Sequence, residues 1–395
     1  MHCPALPQST FDSVTETLAL WIARGGAAVR SEVERWRAAE WQAAQWVAYW
    51  QGAMPLWAAR VDEAGPADAQ ARQSIERIAA LSAARTLRML DAVREMIVGL
   101  GARGIELAPL KGARVAPFYY QPAGLRPMGD IDILVRRPDL AAACAWLQAN
   151  GYERYSRSEE DVVFLRGTRQ AEVWHPDNVH PVELHFRLRE EFGGAGLGWA
   201  MEDEAWRSAA RNSYLGVETR LVAPAFLLRH LCAHTSSDLF IHRGKIQQLE
   251  DIARVARALT PGEWREFADG LPDSCARFQL PALNLTARYY EGAIPPSILS
   301  ALQGRVRPKL RAWSEGLALA AVSESNLRPR SGLGVPLARM LAESPAETTR
   351  ALGAALLPPR WNLMKRYPRL AASRFYPLCY VLINADRAWH LLSRR

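Results

Sequence analysis

The run Gly129-Asp130-Ile131-Asp132-Ile133-Leu134-Val135 constrains this chain more than any other. Four apolar residues in five from Ile131, β-branched at three of them, read as a buried strand over residues 130–135. On a strand, residues two apart point the same way, so Asp130 and Asp132 are expected on one face, with Ile131, Ile133 and Val135 in the core behind them. Two carboxylates this close repel unless a cation lies between them. A hard divalent ion with oxygen ligands, Mg²⁺ or Mn²⁺, resolves that conflict. Alone, such a pair also fits a strand that simply begins at the surface.

The neighbouring segments add to the signal. Val182 to Leu188 alternates, with Val182, Leu184, Phe186 and Leu188 on one face and Glu183, His185 and Arg187 on the other. This half-buried strand brings a third carboxylate, Glu183, and sets His185 on the same face. Upstream, Ile105–Leu110 reads as a strand, Lys111-Gly112 as a tight turn and Ala113–Tyr120 as a short helix. Glycine there lets backbone N–H groups approach a phosphate at a helix N-terminus. Arg126, in the Gly- and Pro-rich loop 122–129, suits phosphate oxygens. Three carboxylates together with a phosphate-binding turn describe a two-metal phosphoryl-transfer site.

The rest of the chain reads as mostly helical. Residues 1–75 hold six tryptophans between Trp21 and Trp57, expected as a helical layer burying indoles, with a linker at Asp62–Ala69 around Gly65-Pro66. Ile78, Leu81, Leu90, Val93, Ile97 and Leu100 give one face of a helix stopped by Gly101 and Gly104. Pro138 opens another helix, ending at Gly151. Val162–Leu165 and Ala171–Trp174 read as a hairpin around Gly167. Beyond about residue 200 strand signals fade, and Pro224–His234 and Lys245–Leu259 read as helices. The expected division is a Trp-rich extension over 1–75, a catalytic core over 76–200 and a helical C-terminal domain over 201–395.

Bulk properties exclude several classes. With 49% hydrophobic and 23% charged residues the chain is an ordinary globular one. It has no apolar run long enough for a membrane helix and no secretory leader pattern, so a cytoplasmic location is expected. Five scattered cysteines without a CxxC pair argue against a disulfide framework or thiolate zinc site. Only four of the 49 basic residues are lysines, and the net charge of +8 comes without a basic run interleaved with aromatics. Nucleic acid is therefore the less favoured partner, while an anionic ligand such as a triphosphate fits. His230 and His234 lie four apart, but Leu231 replaces the acid of a helical zinc-protease motif, so both are read as packed polar positions. His175 and His180 are read as structural.

Taken in order, Leu107-Ala108-Pro109-Leu110-Lys111-Gly112 and Gly124-Leu125-Arg126-Pro127-Met128-Gly129-Asp130-Ile131-Asp132 resemble a bacterial branch of the DNA polymerase β-like nucleotidyltransferases. The likeness continues through Leu147–Tyr152, Val182-Glu183-Leu184-His185, His230, His234 and Asp251-Ile252-Ala253. It extends to Leu356-Leu357-Pro358-Pro359 and Arg366-Tyr367, and so covers roughly residues 78 to 395. It implies an α+β fold: a small mixed sheet backed by helices, then a helical domain. It also implies transfer of a nucleoside monophosphate from a nucleoside triphosphate to an acceptor, with Asp130, Asp132 and Glu183 as metal-binding and catalytic residues. Lys111, Gly112, Arg126 and His185 would be nucleotide-binding. Ala113 stands where the superfamily usually has serine, leaving Lys111 as a substitute phosphate ligand.

Two other classes compete. A transferase using a nucleotide-sugar also carries DxD, but there the apolar strand runs into the aspartates, whereas here Ile133-Leu134-Val135 follows them. An inactive nucleotide-binding or scaffold protein of the same fold would be signalled by loss of a carboxylate, and all three are present. There is no GxxxxGK[ST] loop. The acceptor, whether small molecule, peptide, protein or (less favoured) RNA, leaves no mark in the sequence.

Overall fold

The computed structural model describes residues 4–64, 69–192, 197–323, 340–357, 363 and 367–392. At its centre is a five-stranded mixed sheet made by β1 (Leu107–Pro109), β2 (Ile131–Val135), β3 (Glu153–Arg157), β4 (Asp161–Arg166) and β5 (His180–His185). Its spatial order is β1-β2-β5-β4-β3, and β2–β5 is the parallel pair. All five residues of β2 are buried, because strands flank it on both sides and helices cover both faces. This is the α+β arrangement expected, a small mixed sheet with extensive helix around it.

The helix Ala69–Gly101 spans 33 residues, about 50 Å at 1.5 Å per residue. Its C-terminal half buries Met89, Val93, Met96 and Leu100 against Ile131, Ile133, Val135, Phe164 and Leu184. Its N-terminal half joins a second core through Ile75 and Ile78, shared with the Trp-rich segment and the C-terminal helices. Leu134, on the face of β2 opposite Ile133, belongs to that second core. The central strand therefore lies between the two cores, with Asp132 on the Leu134 side.

Of the six tryptophans, Trp21, Trp41, Trp46 and Trp57 are buried as expected, whereas Trp36 is half-buried and Trp50 is exposed. Trp21 and Trp57 are fully buried with ring centroids 5.8 Å apart, and Trp41 stacks on Trp57 at 5.9 Å. Trp21 Nε1 donates to Arg60 O at 3.1 Å, satisfying the indole. Arg24 donates to the Arg288 and Tyr289 carbonyls, tying this layer to the helix Ala276–Tyr289. Gly65-Pro66 lies outside the described residues.

Several expectations are corrected. β4 pairs with β3, not with Ala171–Trp174, which forms turns; Trp174 instead packs edge-on against Tyr49. All five side chains of β3 are exposed, so it carries no hydrophobic alternation to read. Strands also persist after the central sheet, as the hairpins β6 (Arg189–Phe192) with β7 (Leu197–Ala200) and β8 (Ala210–Tyr214) with β9 (Val217–Leu221). The β8–β9 turn places Leu215 and Gly216 at φ 48° and 82°, a two-residue geometry that leucine does not advertise. Cys144, Cys232, Cys275 and Cys379 are free thiols, as expected.

Candidate functional site

The site is built on the parallel pair. In the β2–β5 register Asp132 lies beside Glu183, and His185 follows two residues later on the same face. The backbone N–H of Leu110 donates to Asp132 O at 3.0 Å, which sets the start of the helix Lys111–Tyr119 against β2. The ligand atoms of Asp132, Glu183 and His185 all lie within 4.8 Å of one another. Asp130 precedes the first residue of β2, is partly exposed, and stands outside that group. The face shared by Asp130 and Asp132 thus resolves into one buried carboxylate, Asp132 at 2% exposure, and one at the rim.

Asp132 is the electrostatic centre. Its Oδ1 accepts from Lys111 Nζ at 2.9 Å and from His185 Nε2 at 3.0 Å. Burial would push its carboxyl up, but the Lys111 ammonium and the His185 hydrogen bond outweigh burial and hold it well below the usual carboxylate range. Burial would depress Lys111, yet Asp132, Glu190, Glu183 and Asp130 around it raise it above the ordinary lysine value. Burial likewise opposes protonation of His185, and the bond to Asp132 reverses that, so its value is raised. Glu183 is pushed up to about 7 by burial and by the Asp132 and Asp130 charges. Asp130 is raised for the same reasons, burial and Asp132. One carboxylate is fully compensated and two are frustrated.

The donor set fits a divalent cation. Two carboxylates and an imidazole converge, with Asp130 at the edge, and the residual repulsion among the acids is what a bound cation would relieve. Lys111 supplies the cationic charge on Asp132 here. It does so from a left-handed backbone, φ 39°, at the first residue of its helix, a costly conformation for a side chain with a Cβ.

Arg126 and Gly112 lie against each other, with a partner on a distant helix that the sequence did not reveal. Arg126 is committed to Asp251 on the helix Ile246–Ala258, through Nη2 at 2.7 Å and Nε at 3.2 Å to both carboxylate oxygens. Tyr120 O–H donates to the same carboxylate at 2.8 Å. A Cβ on Gly112 would sit 2.1 Å from Arg126 Nη1, so the missing side chain makes room for this guanidinium. Ala113 is fully buried, and its carbonyl accepts from Tyr214 O–H at 2.8 Å.

Three features escaped sequence reading. Arg85, buried in the long helix, donates to the carbonyls of Met128, Gly129, His175, Asn178 and Val179, fixing the loops that lead into β2 and β5. Thr86 beside it holds Arg126 O at 3.0 Å. Glu190 receives His234 Nδ1 at 3.2 Å and faces His230 Nε2 at 3.5 Å, setting a second cluster beside Lys111. The histidine spacing was visible; the acidic partner on β6 was not.

The family described as "Uncharacterised nucleotidyltransferase" matches residues 37–290, and the chain belongs to it. The match begins inside the Trp-rich segment and stops at 290, so the extent of the likeness is corrected at both ends. Of the tail residues, Pro358, Pro359 and Arg366 lie outside the described residues. The crystal structure of an antigenic nucleotidyltransferase-like protein from Paracoccidioides brasiliensis is similar over 55% of this chain and 92% of that one, at 15% identity and a TM-score of 0.35. No curated protein matches.

Proposed function

We propose that this protein is a divalent-cation-dependent nucleotidyltransferase that moves a nucleoside monophosphate from a nucleoside triphosphate onto a hydroxyl or phosphate of an acceptor. The carrying observation is the side-by-side placement of Asp132 and Glu183, with His185 and Lys111 converging on them, in a chain of a nucleotidyltransferase family. Asp132, Glu183 and His185, with Asp130 at the rim, would hold Mg²⁺ or Mn²⁺, which when bound neutralises triphosphate charge and polarises the α-phosphoryl group.

The residues of the chain do the rest. The acceptor oxygen forms a bond to the α-phosphorus while the bond from that phosphorus to the bridging α–β oxygen breaks, and pyrophosphate leaves. The acceptor proton passes to Glu183, the carboxylate beside Asp132 in the β2–β5 register. Lys111 and the first N–H groups of its helix face the phosphates. Arg126, held by Asp251, positions the Lys111-Gly112 turn from behind. The acceptor class stays open among small molecules, peptides, proteins and, less favoured, RNA.

Thermal unfolding with nucleotide tests the reading. A nucleoside triphosphate with Mg²⁺ should raise the melting temperature, while the same nucleotide with EDTA should not. Equal stabilisation in both would remove the cation from the account.

A further inference from the structure

The whole net charge of the chain lies at one end. Residues 348–395 hold nine basic residues and one acidic residue, Asp386, a balance of +8 that equals the total, so residues 1–347 are neutral. The same segment exposes several apolar side chains. In the helix Leu378–Leu392, Cys379 and Ile383 turn inward and pack with Leu363 and Ala371. Leu378, Val381, Leu382 and Ala385 recur at i, i+3, i+4 and i+7 and form an outward stripe, with the first three 52%, 64% and 46% exposed. Asn384 Nδ2 donates to Leu356 O at 2.8 Å, which brings the exposed Leu356 and Leu357 alongside. Phe375 is exposed just before the helix, with the Arg374 guanidinium 4.8 Å from its ring centre, and Arg369 is exposed one turn earlier.

We propose that this C-terminal face docks on the surface of an anionic lipid bilayer. An outward apolar stripe with the exposed Arg369 and Arg374 beside it, in a segment of strongly positive sequence, is the composition of a helix lying in the headgroup plane, apolar face toward the acyl chains and cations toward lipid phosphates. Charge selects this occupant. Two copies meeting through this segment would bring two stretches of net charge +8 together, which disfavours self-association. Nucleic acid would satisfy the arginines and leave the leucine–valine stripe without a partner. The 15-residue helix is about 22 Å long, shorter than a bilayer core, and no described helix is long and apolar enough to cross a membrane. The face therefore lies on the membrane, and the family match, ending at residue 290, does not include it.

Flotation of the full chain with two vesicle types tests this, one of phosphatidylcholine alone and one of equal parts phosphatidylcholine and phosphatidylglycerol. The chain should float with the mixed vesicles at low salt and dissociate as salt rises. The double variant Val381→Ser/Leu382→Ser, at exposed positions, should bind those vesicles at least about tenfold more weakly. Arg369→Glu/Arg374→Glu, also at exposed positions, should lose binding comparably. Absence of the wild type from the mixed vesicles, equal flotation with both types, or binding unchanged in both double variants would overturn the proposal. So would a dimer in sedimentation that the serine variant dissolves, because the stripe would then belong to a second copy.

Discussion

Replacing Asp132 and Asp130 by asparagine should move stability in opposite directions in the cation-free protein. Asp132 is 2% exposed and compensated at 2.9 and 3.0 Å by Lys111 and His185. Asp132→Asn keeps an oxygen for those donors but removes the carboxylate that pairs with the Lys111 ammonium, leaving only the more distant Glu190, Glu183 and Asp130 charges around it. Breaking a buried pair by removing one partner costs about 3–5 kcal/mol, and the retained acceptor sets the expectation at the lower end. At about 2.1 cal/mol/K per residue, the 395 residues give an unfolding entropy of about 0.8 kcal/mol/K. A loss of about 3 kcal/mol therefore lowers the melting temperature by about 4 °C. Asp130 sits at the rim with its carboxyl raised by burial and by Asp132, so Asp130→Asn removes a repulsive charge and should leave the melting temperature unchanged or higher. Differential scanning calorimetry in EDTA at pH 8 compares the three proteins. An Asp132→Asn variant as stable as wild type, or an equal fall in Asp130→Asn, would refute the assignment of Asp132 as the compensated centre.

Lys111→Ala should bind Mn²⁺ more tightly than wild type without nucleotide, because the ammonium competes for Asp132 Oδ1, and should bind nucleotide about tenfold more weakly; titration calorimetry reads both, and a weakened Mn²⁺ affinity would refute the competition. His180, pushed down to about 4 by burial and then by Arg85, stays neutral in the fold, whereas an unfolded histidine titrates near 6.5. Between those values the unfolded chain binds the extra proton, so acidification from pH 7 to pH 4 removes stability, up to about 3 kcal/mol at about 1.4 kcal/mol per unit. His180→Gln should flatten that part of the curve, and superimposable denaturation profiles would show that His180 contributes nothing to it.

How much was legible follows from what each residue answers to. The strand at 131–135 and the Val182–Leu184 alternation answer to burial on a pleated sheet, so the β2–β5 pair and the Asp132–Glu183 juxtaposition follow closely from sequence. Trp21, Trp41, Trp46 and Trp57 were legible as core from their apolar bulk, while the exposed Trp50 was not told apart from them. β3 was not, because an edge strand with every side chain exposed leaves no apolar period. The Arg126–Asp251 pair was not legible, because the two residues are 125 apart and only the tertiary fold brings them together. That Gly112 also makes room for the Arg126 guanidinium was equally out of reach of the sequence. Arg85 was invisible, since a buried arginine bonded to backbone carbonyls leaves no partner side chain to pair with it in sequence.

The central claim is that the α-phosphoryl group is the one transferred. Wild type and Asp132→Asn are incubated with Mg²⁺ or Mn²⁺, cell extract as acceptor source, and each nucleoside triphosphate labelled in parallel at the α- or the γ-phosphate. The account predicts that α-label enters an acceptor and γ-label leaves as pyrophosphate, with wild type only. Transfer of γ-label to the acceptor, or α-label transfer undiminished in Asp132→Asn, would contradict it.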